Sequence, residues 1–175
     1  MGKIYRNEFC SILNDYQNGI EIGVASGNYS KIIATWGFDN LFLVDKWEEF
    51  RDQRNKLTTQ EQCNKQYNTV CEYFKDAEEV EILKCSSIEA SKKFVDDMFD
   101  FIYIDACHSY NAVLEDLYAW YPKCKIGGLY SGHDFVLPDV KKAVDEFCSD
   151  KGLSYQTTSG THRIPPSWYL IKEGV

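Results

Sequence analysis

The feature that most constrains this chain is the run IleTyrIleAsp at 102–105, an unbroken apolar stretch that ends on an acid. Such a run reads as a parallel strand buried on both faces, carrying Asp105 to the carboxyl edge of a sheet. Ligands bind at that edge in open α/β sheets. Apolar residues at 110, 113, 114, 117, 120 and 121 then repeat with helical spacing. Pro122 and the pair Gly127–Gly128 read as a helix stop followed by a turn. LeuTyrSerGly at 129–132 resumes a short strand that ends on His133 and Asp134. Two neighbouring strands are therefore expected to aim acids and imidazole at one crevice.

The rest of the chain repeats this alternation. GlyIleGluIleGlyValAlaSerGly at 19–27 is a strand running into a glycine turn, followed by a helix pattern from Tyr29 to Trp36. LeuPheLeuValAsp at 41–45 is a second buried strand ending in an acid. It lies at the distance from the glycine turn at which a ribose-binding acid stands, although a turn or helix-capping acid fits Asp45 as well. ValGluIleLeuLys at 80–84 alternates as a third strand, with a short helix over 86–94. A helix is expected from Pro138 to Phe147, and an antiparallel closing pair of strands over 153–157 and 168–172. Residues 4–16 suggest a short helix covering the sheet edge. The polar segment 46–66 fits either a mobile lid or an idle connection, with a weak helix pattern from Thr59 to Phe74. Together these elements predict an α/β fold, a doubly wound and mostly parallel seven-stranded sheet with an antiparallel last strand, in a single domain over 1–175.

Composition narrows the function. A net charge of −8 without any run of Lys or Arg gives no footprint for nucleic acid or an acidic membrane surface. No segment is apolar for the roughly 20 residues that a membrane span requires. The seven cysteines are scattered and include no CxxC pair, which reads as reduced thiols in a cytoplasmic protein. The expected partner is a small neutral or polar substrate.

The first glycine turn decides between nucleotide binders. A pyrophosphate needs GxGxxG so that backbone amides can approach it. Here Ala25 takes the place of the middle glycine, and Glu21 stands two residues before the first. An acid there repels phosphate and suits a cationic or hydroxyl-bearing ligand.

Taken together, GluIleGlyValAlaSerGlyAsnTyrSer at 21–30, PheLeuValAspLysTrp at 42–47, CysSerSerIleGluAla at 85–90, PheAspPheIleTyrIleAspAlaCysHisSerTyr at 99–110 and GlyHisAspPhe at 132–135 resemble class I S-adenosylmethionine-dependent methyltransferases. The likeness is to the compact branch of sugar and macrolide O-methyltransferases, and it runs from about Gly19 to Phe147. It implies that Glu21, Gly23, Ala25, Ser26 and Gly27 line the cofactor's methionine and ribose. It also implies that Asp45 accepts the ribose hydroxyls, with Lys46, Trp47, Ser86, Ser87 and Asp105 completing the cofactor site and Trp47 and Ser87 flanking the adenine.

The same resemblance implies that His108 is a general base assisted by Asp105. An imidazole near pKa 6.5 can take the proton from an attacking hydroxyl; capping or positioning by His108 is the plainer alternative. Asp105 and Asp134 stand where metal-dependent members hold Mg²⁺ or Mn²⁺. His133 completes the expected metal set but replaces an acid, and imidazole is a poor ligand for Mg²⁺. Ala106 replaces a frequent glycine. Asp116 and Trp120 read as structural. The acceptor pocket has few walls of its own, which segment 46–66 or a second subunit of a homodimer would complete.

Overall fold

The computed structural model describes residues 4–13, 15–52, 55–160 and 164–174. In chain order the strands are β1 (Asn18–Ile22), β2 (Asn40–Asp45), β3 (Phe50–Arg51), β4 (Leu57–Thr58), β5 (Val80–Lys84), β6 (Phe99–Ile104), β7 (Cys124–Gly132), β8 (Gln156–Thr157) and β9 (Trp168–Ile171). The α-helices are α1 (Ser30–Ala34), α2 (Gln60–Phe74), α3 (Ser87–Ser91), α4 (Tyr110–Trp120) and α5 (Pro138–Lys151). Seven strands form one sheet in the order β5-β2-β1-β6-β7-β9-β8. The first five of these run parallel, and β9 is antiparallel to both β7 and β8. The chain is a doubly wound, mostly parallel α/β fold, as the alternating pattern predicts.

Helices on both faces explain why the central strands carry continuous apolar runs: every residue of β6 is buried. Successive side chains go to opposite faces. Ile102 and Ile104 join Val113, Leu117 and Val144 in one core, while Phe101 and Tyr103 join Ile33, Val70 and Phe74 in the other. Phe99 joins the core of Ile102 at the point where the β6–β7 register slips between Phe99 and Phe101. Edge strand β5 is covered less completely, with exposed Glu81 and Lys84.

Some local expectations need correction, while the helix expected from Thr59 to Phe74 forms as α2. Residues Arg6–Ile12 form a 3-10 helix, and it covers a face of the sheet rather than its edge. Phe9, fully buried, packs its ring 5.3 Å from Tyr169 and 6.3 Å from Phe101. Gly127 and Gly128 do not make a turn between elements but lie inside β7. There Gly127, at φ 81, lets the strand kink while its amide still donates to the Lys172 carbonyl at 2.7 Å. Segment 46–66 splits into the β3–β4 hairpin and the start of α2, which Thr59 caps by accepting from the Gln62 amide. Gln53 and Arg54 within it lie outside the described residues. α5 also runs past Phe147 to Lys151, where Gly152 ends it in the left-handed region.

Strand order reverses between β1 and β6, which are hydrogen-bonded neighbours although they are far apart in sequence. This is the position at which a crevice opens in such sheets. Gly23 and Asp105 face each other across it: a Cβ on Gly23 would lie 2.1 Å from the Asp105 carbonyl oxygen. Among the described residues no helix is long and apolar enough to cross a membrane.

Candidate active site

The glycine turn leaves β1 at Ile22 and is closed by two backbone bonds, Gly23 N–H to the Val44 carbonyl and Gly27 N–H to the Val24 carbonyl. Asp45, at the end of β2, folds its carboxylate under the turn. One oxygen accepts the Ala25 amide at 2.8 Å and the other the Trp47 amide at 2.9 Å. The Ala25 amide is thus turned towards a carboxylate and away from any phosphate, so the turn is unsuited to pyrophosphate. A carboxylate oxygen can accept more than one hydrogen bond, and the partly exposed Asp45 retains capacity for a pair of hydroxyl donors. Ala25 is exposed and Ser26 half-buried along the rim, with exposed Lys46 next to Asp45. This arrangement fits a nucleoside with a free ribose.

Glu21 sits deeper. It is 2% exposed and accepts a hydrogen bond from the Ser30 hydroxyl at the start of α1. Burial pushes its carboxyl up to about 8; the Ser30 bond pulls it back, and the Asp105 and Asp45 charges raise it further.

Across the crevice, β6 and β7 bring four groups together as two acids alternating with two imidazoles. His108 Nε2 lies 3.4 Å from Asp105 Oδ1 and 3.2 Å from Asp134 Oδ2. His133 Nδ1 lies 3.3 Å from Asp105 Oδ2 and 3.4 Å from Asp134 Oδ1. Each carboxylate therefore shows one oxygen to each ring. Asp105 is fixed at its strand end by donating its amide to the Ile22 carbonyl at 2.7 Å, and His133 by donating to the Ile104 carbonyl at 3.0 Å. Asp134 adopts φ 50, a left-handed conformation that turns the chain from β7 towards α5.

Burial alone would raise the Asp105 carboxyl, but its bonds to His108 and His133 outweigh it and hold the group below the ordinary value. The bond to Asp105 raises the His108 imidazole against an opposing burial cost, and the charges of Asp105 and Asp134 add to the rise. With its side chain 33% exposed, His108 can reach a ligand.

Ligand atoms of Asp105, His108 and Asp134 lie within 4.8 Å of one another, a spacing that suits a divalent ion. Two carboxylates with an imidazole favour Mn²⁺, Fe²⁺ or Zn²⁺ over Mg²⁺. His133 is the weaker nitrogen donor, since its Nε2 is buried without a hydrogen-bond partner among the described residues. A metal-bound imidazole ordinarily donates its second N–H.

Three expected cofactor contacts are committed elsewhere. Trp47 is 2% exposed, with its ring packed 4.9 Å from that of Tyr67 and its indole N–H donated to the Ala25 carbonyl at 2.8 Å. It braces the glycine turn from inside. The Ser87 hydroxyl donates to Asp116 and accepts from the Trp120 indole at 2.8 Å, which ties α3 to α4. Ser86 caps α3 by accepting the Glu89 amide at 3.2 Å. Asp116, buried, has its carboxyl pushed up to about 6 by burial, partly offset by Ser87. The structural reading of Asp116 and Trp120 matches this network. The sequence gives no local signal for Arg6, Tyr29 and Tyr103, which meet beside the crevice.

Residues 20–135 match the family model of a methyltransferase domain. Among solved structures, the chain is similar to an rRNA methylase from Streptococcus thermophilus at 14% identity and TM-score 0.66, covering 99% of this chain and 100% of that one. It is similar to the O-methyltransferase NovP at 17% identity and TM-score 0.64, covering 96% and 76%. Spermidine synthase from Thermotoga maritima aligns at 14% identity and TM-score 0.64, covering 97% of this chain; the chain spans only 59% of that synthase. At these identities the likeness establishes the fold alone. No curated protein matches the sequence.

Proposed function

We propose that this chain, which belongs to the methyltransferase-domain family, transfers the methyl group of S-adenosylmethionine to a hydroxyl of a sugar, glycan or other small polyol, with His108 as the base. The observation that carries this reading is the partly exposed His108 imidazole set between Asp105 and Asp134, beside the glycine turn. The cofactor, when bound, supplies a methyl group on a sulfonium. Asp45 and the turn residues Gly23, Ala25, Ser26 and Gly27 hold the nucleoside end, with Lys46 at the rim. The acceptor oxygen attacks in line with the departing thioether, so orientation and proton removal are what the protein contributes. The His108 ring takes the hydroxyl proton, and the resulting imidazolium is held through Nε2 by Asp105 and Asp134.

Three further observations support the small, uncharged acceptor. The net charge of −8 disfavours the polyanion that a nucleic-acid methylase binds. NovP, an O-methyltransferase, shares the fold. The exposed Phe50 and Val136 follow the ends of β2 and β7 and offer apolar walls, which a second subunit of a homodimer would extend. Free cysteines at all seven positions are in keeping with a cytoplasmic setting.

A second reading, a metal-assisted transfer, is favoured by the spacing of Asp105, His108 and Asp134. A divalent ion there would acidify the acceptor hydroxyl. It would also bind the Nε2 side of the ring and withdraw the two carboxylates that support the imidazolium, so the two readings exclude each other.

The test is incubation with methyl-labelled S-adenosylmethionine and a panel of sugars, glycans, catechols and amines. Label on a sugar or polyol oxygen supports the proposal. Transfer to amines or catechols alone overturns the acceptor class.

A further inference from the structure

We propose that Arg6 binds the carboxylate of the methionine tail of S-adenosylmethionine, through the Nε–Nη2 edge of its guanidinium. Arg6 lies outside residues 20–135, the part of the chain that matches the methyltransferase family. The proposal rests on the cofactor occupying the glycine turn.

The 3-10 helix that starts at Arg6 lies on the face of the sheet bearing Tyr103 and brings the guanidinium to the crevice. Nη1 donates to the Tyr103 hydroxyl at 3.2 Å, and the guanidinium carbon lies 4.5 Å over the Tyr29 ring. Tyr29 in turn donates its hydroxyl to the Arg6 carbonyl at 2.8 Å. These two tyrosines locate Arg6. Tyr29 is two residues past Gly27 of the glycine turn, and Tyr103 is two residues before Asp105 on the same face of β6. Their rings are 4.5 Å apart. Arg6 therefore stands between the cofactor turn and the acid–imidazole cluster, where the amino-acid end of the cofactor must lie if its nucleoside end sits on Asp45.

The chemistry of the guanidinium selects the ligand. Nε is buried and has no hydrogen-bond partner among the described residues, an expensive state for an N–H of a charged group. Nη1 is already used, and what remains is the Nε–Nη2 edge, a fork of two parallel donors that matches a carboxylate. Carboxylates of the chain itself ring this crevice at Glu21, Asp45, Asp105 and Asp134, so an anionic ligand group needs a cation here. The charge of Arg6 is felt at Glu21, and that of Asp105 is felt at Arg6. Stacking on Tyr29 and the bond to Tyr103 fix the plane of the fork in advance of binding, which reduces the ordering cost.

Calorimetric titration of S-adenosylhomocysteine and of 5′-methylthioadenosine, which lacks the amino-acid tail, separates this role from a structural one. The wild type should bind both. In Arg6→Gln the affinity for S-adenosylhomocysteine should fall about 10- to 100-fold, the worth of a charge-assisted pair. Affinity for 5′-methylthioadenosine should be unchanged, and Arg6→Lys should recover part of the loss. Equal weakening of both ligands, or no weakening of either, overturns the assignment. A wild type that binds neither ligand overturns the cofactor placement on which it rests.

Discussion

The indole N–H of Trp47 donates to the carbonyl of Ala25 at 2.8 Å, joining two residues that both adopt left-handed backbone conformations, φ 46 and φ 48. Neither is a glycine, so each conformation carries a strain of about 1 kcal/mol or more that its surroundings must hold. Asp45 holds both: its two oxygens accept the Ala25 and Trp47 amides. Gln60 adds a third tie, donating its side-chain amide to the Trp47 carbonyl at 2.9 Å. The shape of the cofactor turn thus depends on one carboxylate.

Asp45→Ala should accordingly lose more than a ribose contact. Affinity for S-adenosylhomocysteine should fall by at least about 10-fold, the scale of a lost hydrogen bond to a charged group. The thermal midpoint should fall as well, because the Ala25 and Trp47 amides lose their acceptor. Calorimetry and a melting curve check both; unchanged affinity would remove Asp45 from the cofactor site.

Glu21 should leave a signature in stability against pH. Its carboxyl is raised from 4.5 to about 8, so between those values the native state holds a proton that the unfolded chain has released. Its contribution to stability is therefore complete below about pH 4.5 and is lost as pH rises towards 8. Glu21→Gln cannot ionise and should flatten that decline, melting above the wild type at pH 8 by a few degrees, on a scale of roughly 2–4 °C per kcal/mol for a domain this size. Parallel melting profiles from pH 5 to pH 8.5 would contradict the placement of a neutral acid beneath the turn.

Much of this arrangement is legible in the sequence, for reasons that can be stated residue by residue. Strand β6 and helix α4 declare themselves because a strand buried on both faces is apolar throughout, and a one-sided helix repeats every three to four residues. Asp105, His108, His133 and Asp134 converge because parallel neighbours end at the same edge. Trp47 reads as an adenine contact because an aromatic following the strand-end acid looks the same in sequence whether its ring faces a ligand or the core. Only the tertiary packing of Tyr67 and the reach of the indole to Ala25 distinguish the two. Gly127–Gly128 reads as a turn until pairing with β6 shows the extra residues as an irregularity within β7. Phe9 is legible only as part of an apolar face over 4–16 and Arg6 has no local signal, since the groups they meet, Phe101, Tyr103 and Tyr169, are about a hundred residues or more away in sequence.

Chelation distinguishes the two catalytic readings. With His108 as base, methyl transfer should persist in excess EDTA, and added Zn²⁺ or Mn²⁺ should inhibit by taking the nitrogen between Asp105 and Asp134. Loss of transfer in chelator, restored by Mn²⁺, would install the metal-assisted mechanism. Asp134→Asn should then raise the metal concentration needed for half-maximal rate.

The central claim is that the His108 imidazole, held between two strand-end carboxylates, takes the proton of the acceptor hydroxyl. The most direct measurement is the pH dependence of methyl transfer to a sugar acceptor in the wild type, Asp105→Asn and His108→Gln. In the wild type the rate should rise with pH through an imidazole pKa above the ordinary 6.5, because the bond to Asp105 favours the protonated ring. Removing that charge in Asp105→Asn should move the rise to lower pH. His108→Gln should turn over about 10²- to 10⁴-fold more slowly, the usual size of a lost general base, with affinity for S-adenosylhomocysteine unchanged and the pH dependence gone. A His108→Gln enzyme that keeps most of its rate and the wild-type pH profile would contradict the account.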